Sequence, residues 1–136
     1  AERHPELSDV VEILASISEH LLPHMLKEEM VLFPYIAELN RTVDQGIARR
    51  KPHFGSVCNP IAMLEPEHED IRDLFARLRA AAGGYKAPAD ASAAFSGFYS
   101  RLAELERDIH QHIHLENNLL FVKAVELDAK ADLLSN

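Results

Sequence analysis

The sequence predicts an all-α protein built as an antiparallel helical bundle, and three observations support this fold class. Apolar residues recur at three- and four-residue steps over three long stretches, as they do on one face of an α-helix. The strict alternation of apolar and polar residues that indicates β-strands does not occur in these stretches. Glycine and proline cluster between the stretches, which predicts turns there.

The first helix is predicted from about Leu7 to Asn40, because its apolar residues keep the helical period over that length. These residues are Leu7, Val10, Val11, Leu14, Ile17, Leu21, Met25, Leu32, Phe33, Ile36 and Leu39. Pro23 and Pro34 fall inside the stretch. Since proline removes one intrahelical hydrogen bond, we expect a kink or a restart near each of them.

Two further helices are predicted after a loop. Arg41 to Asn59 is read as the loop, since it contains glycine and proline and breaks the apolar period. The second helix is expected from about Pro60 to Ala82, where Gly83-Gly84 stops it. The third is expected from about Asp90 to Lys130, with a break near its end.

Composition excludes several classes of partner. The 22 acidic and 14 basic residues give a net charge of −8, which is unsuited to nucleic acid or to an anionic membrane. The single cysteine, Cys58, rules out an intrachain disulfide, so we expect a cytoplasmic protein whose metals, if any, have nitrogen and oxygen ligands. The chain begins without Met, and we expect residues 1–136 to be one domain at the C-terminal end of a longer protein.

The residues that carry chemistry lie on the apolar helix faces. His24 continues the apolar line of the first helix and Glu28 follows one turn later; His112 and Glu116 repeat this pattern on the third helix. His68 lies on the apolar face of the second helix, 44 positions after His24 and 44 before His112. Helices of similar length would bring the three histidines to comparable heights, which predicts one shared site.

A pair of metal ions is the interpretation that best explains this set. Buried carboxylates and imidazoles cost several kcal/mol per unpaired charge, and cations among them would offset that cost. Glu and His on facing helices are how bundles hold di-iron or di-manganese centres, and a donor set without thiolate favours iron or manganese over zinc. Taken singly, each motif is more often a solvated helix pair or a core histidine; it is their conjunction that favours metal.

Residues around this set are candidates for supporting roles. His20 precedes His24 by one turn on the same face and is a candidate ligand or channel residue. The acidic group at the start of the second helix is read as a solvated surface, although one member is a candidate to orient a ligand histidine. This group consists of Glu65, Glu67, Glu69 and Asp70. His110 and His114 lie about 200° round the helix from His112 and are expected to have outer-shell or solvent roles.

Three blocks of sequence resemble a known family. They are HMLKEEMVLFP (24–34), NPIAMLEPEHED (59–70) and HIHLENNLLF (112–121). They are similar to the signature blocks of the hemerythrin-like domain in the repair-of-iron-centres proteins, the iron–sulfur cluster repair family of the YtfE/ScdA type. The resemblance runs from about residue 4 to residue 124, and the ordered set of three blocks is specific.

The resemblance implies a site and a role. It implies that His24, His68 and His112 are terminal ligands of two iron ions joined by an oxo or hydroxo group. It implies that Glu28 and Glu116 are carboxylates that bridge the two irons. The implied role is protection or repair of iron–sulfur centres damaged by nitric oxide or oxidants, by donating iron or by handling nitric oxide or dioxygen species at the di-iron site.

Two departures from the family pattern carry further expectations. Oxygen-carrying hemerythrins have a second histidine one turn after the middle one, where this chain has Arg72, so oxygen carriage is disfavoured. The family's first helix, which brings a further histidine, is expected to be absent from this chain. A sixth ligand would then come from that helix, from His20 or from a second chain, and we expect self-association that covers the exposed apolar groove.

Three functions are consistent with these residues. The leading one is a di-iron stress-response protein acting on damaged iron–sulfur proteins; whether it turns over a substrate such as nitric oxide or peroxide stays open, and a hydrolase or transferase is not expected. The alternative is a hemerythrin-like module that binds oxygen or nitric oxide and signals to a partner. A metal-free interaction bundle is the third.

Overall fold

The computed structural model describes residues 4–46 and 55–135, and all regular structure in these two stretches is helical. In chain order the long elements are α1 (Glu6–Lys27), α2 (Phe33–Gln45), α3 (Cys58–Ala81), α4 (Ala93–Leu115) and α5 (Phe121–Ser135). The all-α prediction is confirmed. None of the described helices has a stretch long and apolar enough to cross a bilayer.

Two short π-helical segments join these elements into longer rods. The first π turn (Glu28–Leu32) connects α1 to α2, and the second π turn (Glu116–Leu120) connects α4 to α5. The sequence predicted only a kink or a restart near Pro34, which lies at the start of α2. A proline ring clashes with the carbonyl four residues earlier, and the wider π turn directly before Pro34 gives that ring room.

Pro23 behaves differently from Pro34. α1 continues through Pro23 without a break in its helical assignment, so no restart occurs there. Proline removes the hydrogen bond to the carbonyl of Glu19, and both residues are exposed, so water can bond that carbonyl instead.

The loop predicted from Arg41 to Asn59 is shorter than expected. α2 continues to Gln45 and ends at Gly46, whose φ of 66° is the left-handed conformation that glycine adopts at helix ends. α3 already begins at Cys58. The rest of the predicted loop, residues 47–54, lies outside the described residues.

The last predicted helix starts and ends later than expected. α4 begins at Ala93, and the Ser92 hydroxyl accepts a hydrogen bond from the Phe95 N–H at 3.1 Å, as an N-cap does. α5 extends to Ser135, beyond the predicted end at Lys130. The expected break near the end of this stretch coincides with the second π turn.

The chain forms two compact units, each with its own hydrophobic core. The first unit contains the described residues 4–21 and 68–113. Its core is built from α1, α3 and α4 and consists of Val10, Ile17, Ile71, Leu74, Phe75, Leu78, Ala82, Tyr99, Leu102, Ile109 and Ile113. The second unit contains the described residues 22–46, 55–67 and 114–135. Its core consists of Leu32, Ile36, Leu39, Val57, Ile61, Leu64, Phe121, Ala124, Leu127 and Ala131.

A buried carboxylate, Glu106, joins α3 to α4 in the first unit. Arg79 donates to it through Nε at 3.2 Å and through Nη2 at 2.5 Å, and the Tyr85 hydroxyl donates to it at 2.7 Å. Burial alone would raise the pKa of Glu106, but the hydrogen bonds from Arg79 and Tyr85 outweigh it, and the pKa lies below its usual value. The network therefore stabilises the charged form of this carboxylate.

A second buried carboxylate, Asp128 on α5, anchors the start of α3 in the second unit. The Ser56 hydroxyl donates to Asp128 Oδ2 at 2.7 Å and also accepts a hydrogen bond from the Cys58 N–H at 3.1 Å. Ser56 thus caps α3 and links it to α5 through one hydroxyl group. This contact fixes where α3 begins.

Candidate metal centre

Three of the five predicted ligands come together inside the second unit. His24, Glu28 and Glu116 each offer a nitrogen or oxygen atom, and these atoms lie within 4.8 Å of one another. The His24 Nε2 and Glu28 Oε1 atoms are 2.6 Å apart, and Glu28 and Glu116 are hydrogen-bonded through their carboxyl groups. All three side chains are at most 3% exposed. Two carboxyl groups and an imidazole therefore share one desolvated position.

This proximity changes how the carboxyl groups titrate. Burial of Glu116, together with its hydrogen bond to Glu28 and the charge of Glu28, raises its pKa to about 9. Two carboxylates in contact cannot both be charged without a cation, so the pair holds a proton at neutral pH. A metal cation between the two carboxyl groups could replace this proton.

The neighbours of His24 favour its charged form. Burial alone would lower its pKa, but the hydrogen bonds to Glu28 and Glu67 outweigh that effect and raise the pKa of the imidazole. The Nδ1 atom lies 2.8 Å from Glu67 Oε1, and Glu67 Oε2 accepts a hydrogen bond from Lys27 Nζ at 2.7 Å. Glu67 is thus the member of the predicted acidic group that contacts a candidate ligand.

The local backbone explains why both glutamates face inward. Each π turn begins at the glutamate of a motif, Glu28 in the first and Glu116 in the second. The N–H groups of Phe33 and Phe121 bond the carbonyls of these glutamates five residues earlier. One extra residue in the turn keeps the buried residues before and after it on the same side of the rod. The second π turn is also supported by Asn118, whose side-chain amide donates to the His114 carbonyl at 3.0 Å.

The two remaining predicted ligands, His68 and His112, belong to the first unit. His68 is completely buried on α3, directly after Glu67. His112 is only partly buried on α4, because the most buried line of that helix passes through the next residue, Ile113. The sequence pattern placed His112 on the inward apolar face of this helix, and the structure places it at the edge of that face.

The other residues singled out by sequence do not join the cluster. His20 is exposed, and its Nδ1 bonds the Ser16 carbonyl at 2.9 Å. Arg72 pairs with Glu69 on the surface at 2.7 Å. His114 is also exposed and bonds Asn118. The side chains of His20 and Arg72 are therefore occupied by local partners on their own helices.

His110 likewise has a partner away from the cluster. Its Nε2 lies 3.6 Å from Glu106, one turn earlier on α4, and its ring packs edge-on to Phe75 with centroids 6.2 Å apart. These contacts place His110 with the Arg79–Glu106–Tyr85 network of the first unit rather than beside the buried carboxyl pair.

The donor set in the second unit fits a cation. Carboxylate oxygens and an imidazole nitrogen without thiolate are the ligands that iron and manganese take in helical bundles. A positive ion in place of the proton on Glu116 would allow both buried carboxylates to be charged without a net repulsion between them. The cluster is therefore chemically suited to metal binding.

Comparisons with known proteins agree with this assignment. The hemerythrin HHE cation binding domain family matches residues 1–124. The chain is 33% identical over 119 residues to the iron-sulfur cluster repair protein DnrN of Neisseria gonorrhoeae, covering 88% of this chain and 68% of that protein. It is 34% identical over 112 residues to the iron-sulfur cluster repair protein YtfE of Enterobacter sp. (strain 638), covering 82% of this chain and 45% of that protein.

A further relative repeats this pattern of coverage. The YtfE protein of Musicola paradisiaca (strain Ech703) is 34% identical over 116 residues, which are 85% of this chain and 46% of that protein. The chain thus spans less than half the length of these YtfE proteins and about two thirds of DnrN. With the family matched over most of its residues, the chain belongs to the hemerythrin HHE cation-binding domain family and, within it, to the repair-of-iron-centres group whose sequence blocks it carries.

Proposed function

We propose that the protein binds two iron ions and acts in the repair of iron–sulfur centres damaged by nitric oxide or oxidants. The observation that carries the proposal is the contact between two buried carboxyl groups, Glu28 and Glu116, beside the imidazole of His24. Carboxylates that bridge two cations account for this otherwise unfavourable arrangement. The names of the relatives supply the repair role.

We further propose His68 and His112 as terminal ligands of the same centre. His68 is completely buried on α3 and belongs to the sequence block 59–70, whose resemblance to the family implies a ligand at this position. His112 lies one turn before Glu116, as His24 does before Glu28. Three histidines and two carboxylates leave coordination positions open, as substrate binding or release of a metal requires.

Iron in such a site supplies redox chemistry and a binding position for small ligands such as nitric oxide or dioxygen species. The residues of this chain have separate tasks. Glu28 and Glu116 would neutralise the charge of the bound cations, and Glu67 holds the imidazole of His24 in position. Donation of iron to a damaged client would require these carboxylates to accept protons again, which the raised pKa of Glu116 favours.

Iron content tests the site. Glu28→Ala and Glu116→Ala should each reduce bound iron from about two ions per chain to one or none, because each removes a bridging carboxylate. Glu126→Ala, an exposed change on α5, is the matched control and should retain both irons. If both site variants keep the full iron content of the unaltered protein, the ligand assignment is wrong.

Repair is tested separately from binding. The iron-loaded protein should restore activity to an iron–sulfur enzyme inactivated by nitric oxide, and the Glu116→Ala variant should not. A protein that binds iron and nitric oxide reversibly but restores no activity would instead be a sensing module. We place the activity in the cytoplasm, in line with a chain whose single cysteine cannot form an internal disulfide.

We also propose that the protein self-associates. Leu22, Leu26 and Met30 follow one another at four-residue steps, and each side chain is more than half exposed. Such a line of large apolar residues on a folded protein indicates an interface, and a second copy can match it because a two-fold axis places the same patch on both sides. Sedimentation should show a dimer that Leu26→Lys converts to monomer. A monomer before the change would exclude this interface.

A further inference from the structure

We propose that Glu67, anchored by Lys27, is a positioning residue that fixes the imidazole of His24 for metal binding; this inference rests on the proposed metal centre. Glu67 lies between the buried His24 and the half-exposed Lys27, and each of its two carboxylate oxygens contacts one of them. No other residue of the predicted acidic group has a hydrogen bond to His24 among the described contacts.

The hydrogen bond determines which nitrogen of His24 faces the site. A carboxylate paired with Lys27 can only accept hydrogen bonds, so Nδ1 of His24 must carry a proton and donate it to Glu67 Oε1. The opposite nitrogen, Nε2, then faces Glu28 Oε1 at 2.6 Å. A ring held in this way presents Nε2 as the atom that a metal would take, as outer-shell carboxylates do for ligating histidines.

Lys27 gives the arrangement its rigidity. It lies three residues after His24 on α1. The two oxygens of Glu67 therefore contact two side chains of the same helix, His24 and Lys27. Rotation of the Glu67 carboxylate away from His24 would break the ion pair with Lys27. Because Glu67 belongs to α3, the pair of contacts also holds the part of α3 that ends at Glu67 against the end of α1 within the second unit.

The neighbours of Glu67 provide matched controls. Glu65 and Glu69 lie two residues before and after it, about 200° round the helix, and both are exposed. Substitutions at Glu65 change the charge of α3 by the same amount without touching the His24 ring. A general electrostatic effect would therefore be shared by Glu65 and Glu67, whereas positioning would be specific to Glu67.

The test measures metal binding rather than activity. Metal-free protein is titrated anaerobically with Fe²⁺ against a competing chelator, and with Co²⁺, whose visible absorption reports ligand geometry. Glu67→Ala should weaken binding by about 10- to 100-fold and alter the Co²⁺ spectrum. Glu67→Gln, which keeps an acceptor for Nδ1, and Lys27→Met should lie between Glu67→Ala and the unaltered protein. Glu65→Ala should match the unaltered protein.

A purely structural role is distinguished by the thermal midpoint of the metal-free protein. Glu67→Ala removes the acceptor of the buried Nδ1–H of His24 and should lower that midpoint, whereas Glu67→Gln keeps an acceptor and should leave the midpoint nearly unchanged while still weakening metal binding. Glu67→Ala with unchanged affinity and an unchanged Co²⁺ spectrum would overturn the positioning role while the metal centre stands. Failure of the unaltered protein to bind either metal would overturn both the positioning role and the metal centre. Equal losses of metal affinity in Glu65→Ala and Glu67→Ala would show that surface charge, and not positioning, causes the effect.

Discussion

Glu116→Gln should stabilise the metal-free protein and, at the same time, impair its metal binding. Glutamine has nearly the shape of a protonated glutamate, and its amide can still donate to Glu28. Glutamine cannot become charged, so the burial of a charge and the repulsion from Glu28, which together raise the pKa of Glu116, have no effect in the variant. A residue selected to hold a cation is expected to cost stability when the cation is removed.

The expected gain in the free energy of unfolding follows from the pKa of Glu116. The carboxyl group titrates near its ordinary value in the unfolded chain and at about 9 in the folded one. The folded state therefore binds more protons over that range, and its stability falls by about 1.4 kcal/mol per pH unit as pH rises from about 4.5 to 9. At pH 7 the deficit from this group is about 3 kcal/mol as an upper value, and Glu116→Gln should recover much of it.

Urea denaturation of the metal-free protein at several pH values measures this difference. The variant and the unaltered protein should be similar near pH 5, and the advantage of the variant should grow up to about pH 9. Glu126→Gln, on the exposed face of α5, should stay within about 0.5 kcal/mol of the unaltered protein at every pH. A variant that is less stable at pH 8, or a difference that does not change with pH, would refute the reasoning.

Two further predictions concern the helices. Glu106→Gln should cost about 1–2 kcal/mol at pH 7, because it weakens the charge-assisted bonds from Arg79. The pKa of Glu106 is lower in the folded state than in the unfolded chain, so this cost should vanish as the pH falls below the folded-state pKa. A cost that persists in urea denaturation at such a low pH would contradict this prediction. Deletion of Asn118 should convert the second π turn to α-helix and leave a folded protein by circular dichroism. Deletion of Glu104 in α4 should instead rotate buried residues outward and lower the free energy of unfolding by more than about 5 kcal/mol. Equal thermal midpoints for the two deletion variants would contradict this prediction.

The apolar period was sufficient to predict the helices and much of the candidate site. α3 was expected from Pro60 to Ala82 and is found at Cys58–Ala81. The same period placed His24, Glu28 and Glu116 on inward faces, and the structure brings them together. These residues could be predicted because a buried helix face repeats at a fixed angle along the chain.

The π turns were not predicted, because the apolar pattern alone does not distinguish them from an unbroken α-helix. In the first rod the buried residues His24, Glu28, Leu32 and Ile36 follow at four-residue steps. On an α-helix each such step drifts by about 40°, so the series leaves a single face unless a π turn absorbs the drift. The run of equal four-residue steps in the sequence is the feature that could have indicated a π turn.

The role of Glu67 could not be read from sequence alone. Glu65, Glu67 and Glu69 have the same chemistry, and their separation along α3 gives no reason to prefer one. The choice depends on how α3 is rotated against α1, which brings Glu67 to His24 and Lys27. Similarly, Glu106 was not expected in the core, since its burial depends on Arg79 and Tyr85 from another part of the chain.

The most direct test of the central claim is an anaerobic Fe²⁺ titration of metal-free protein, followed by thermal unfolding. We expect binding to saturate at about two ions per chain and the thermal midpoint to rise, since ions that bind only the folded state stabilise it. A chain that takes up no iron, and whose thermal midpoint is the same with and without Fe²⁺, would contradict the account.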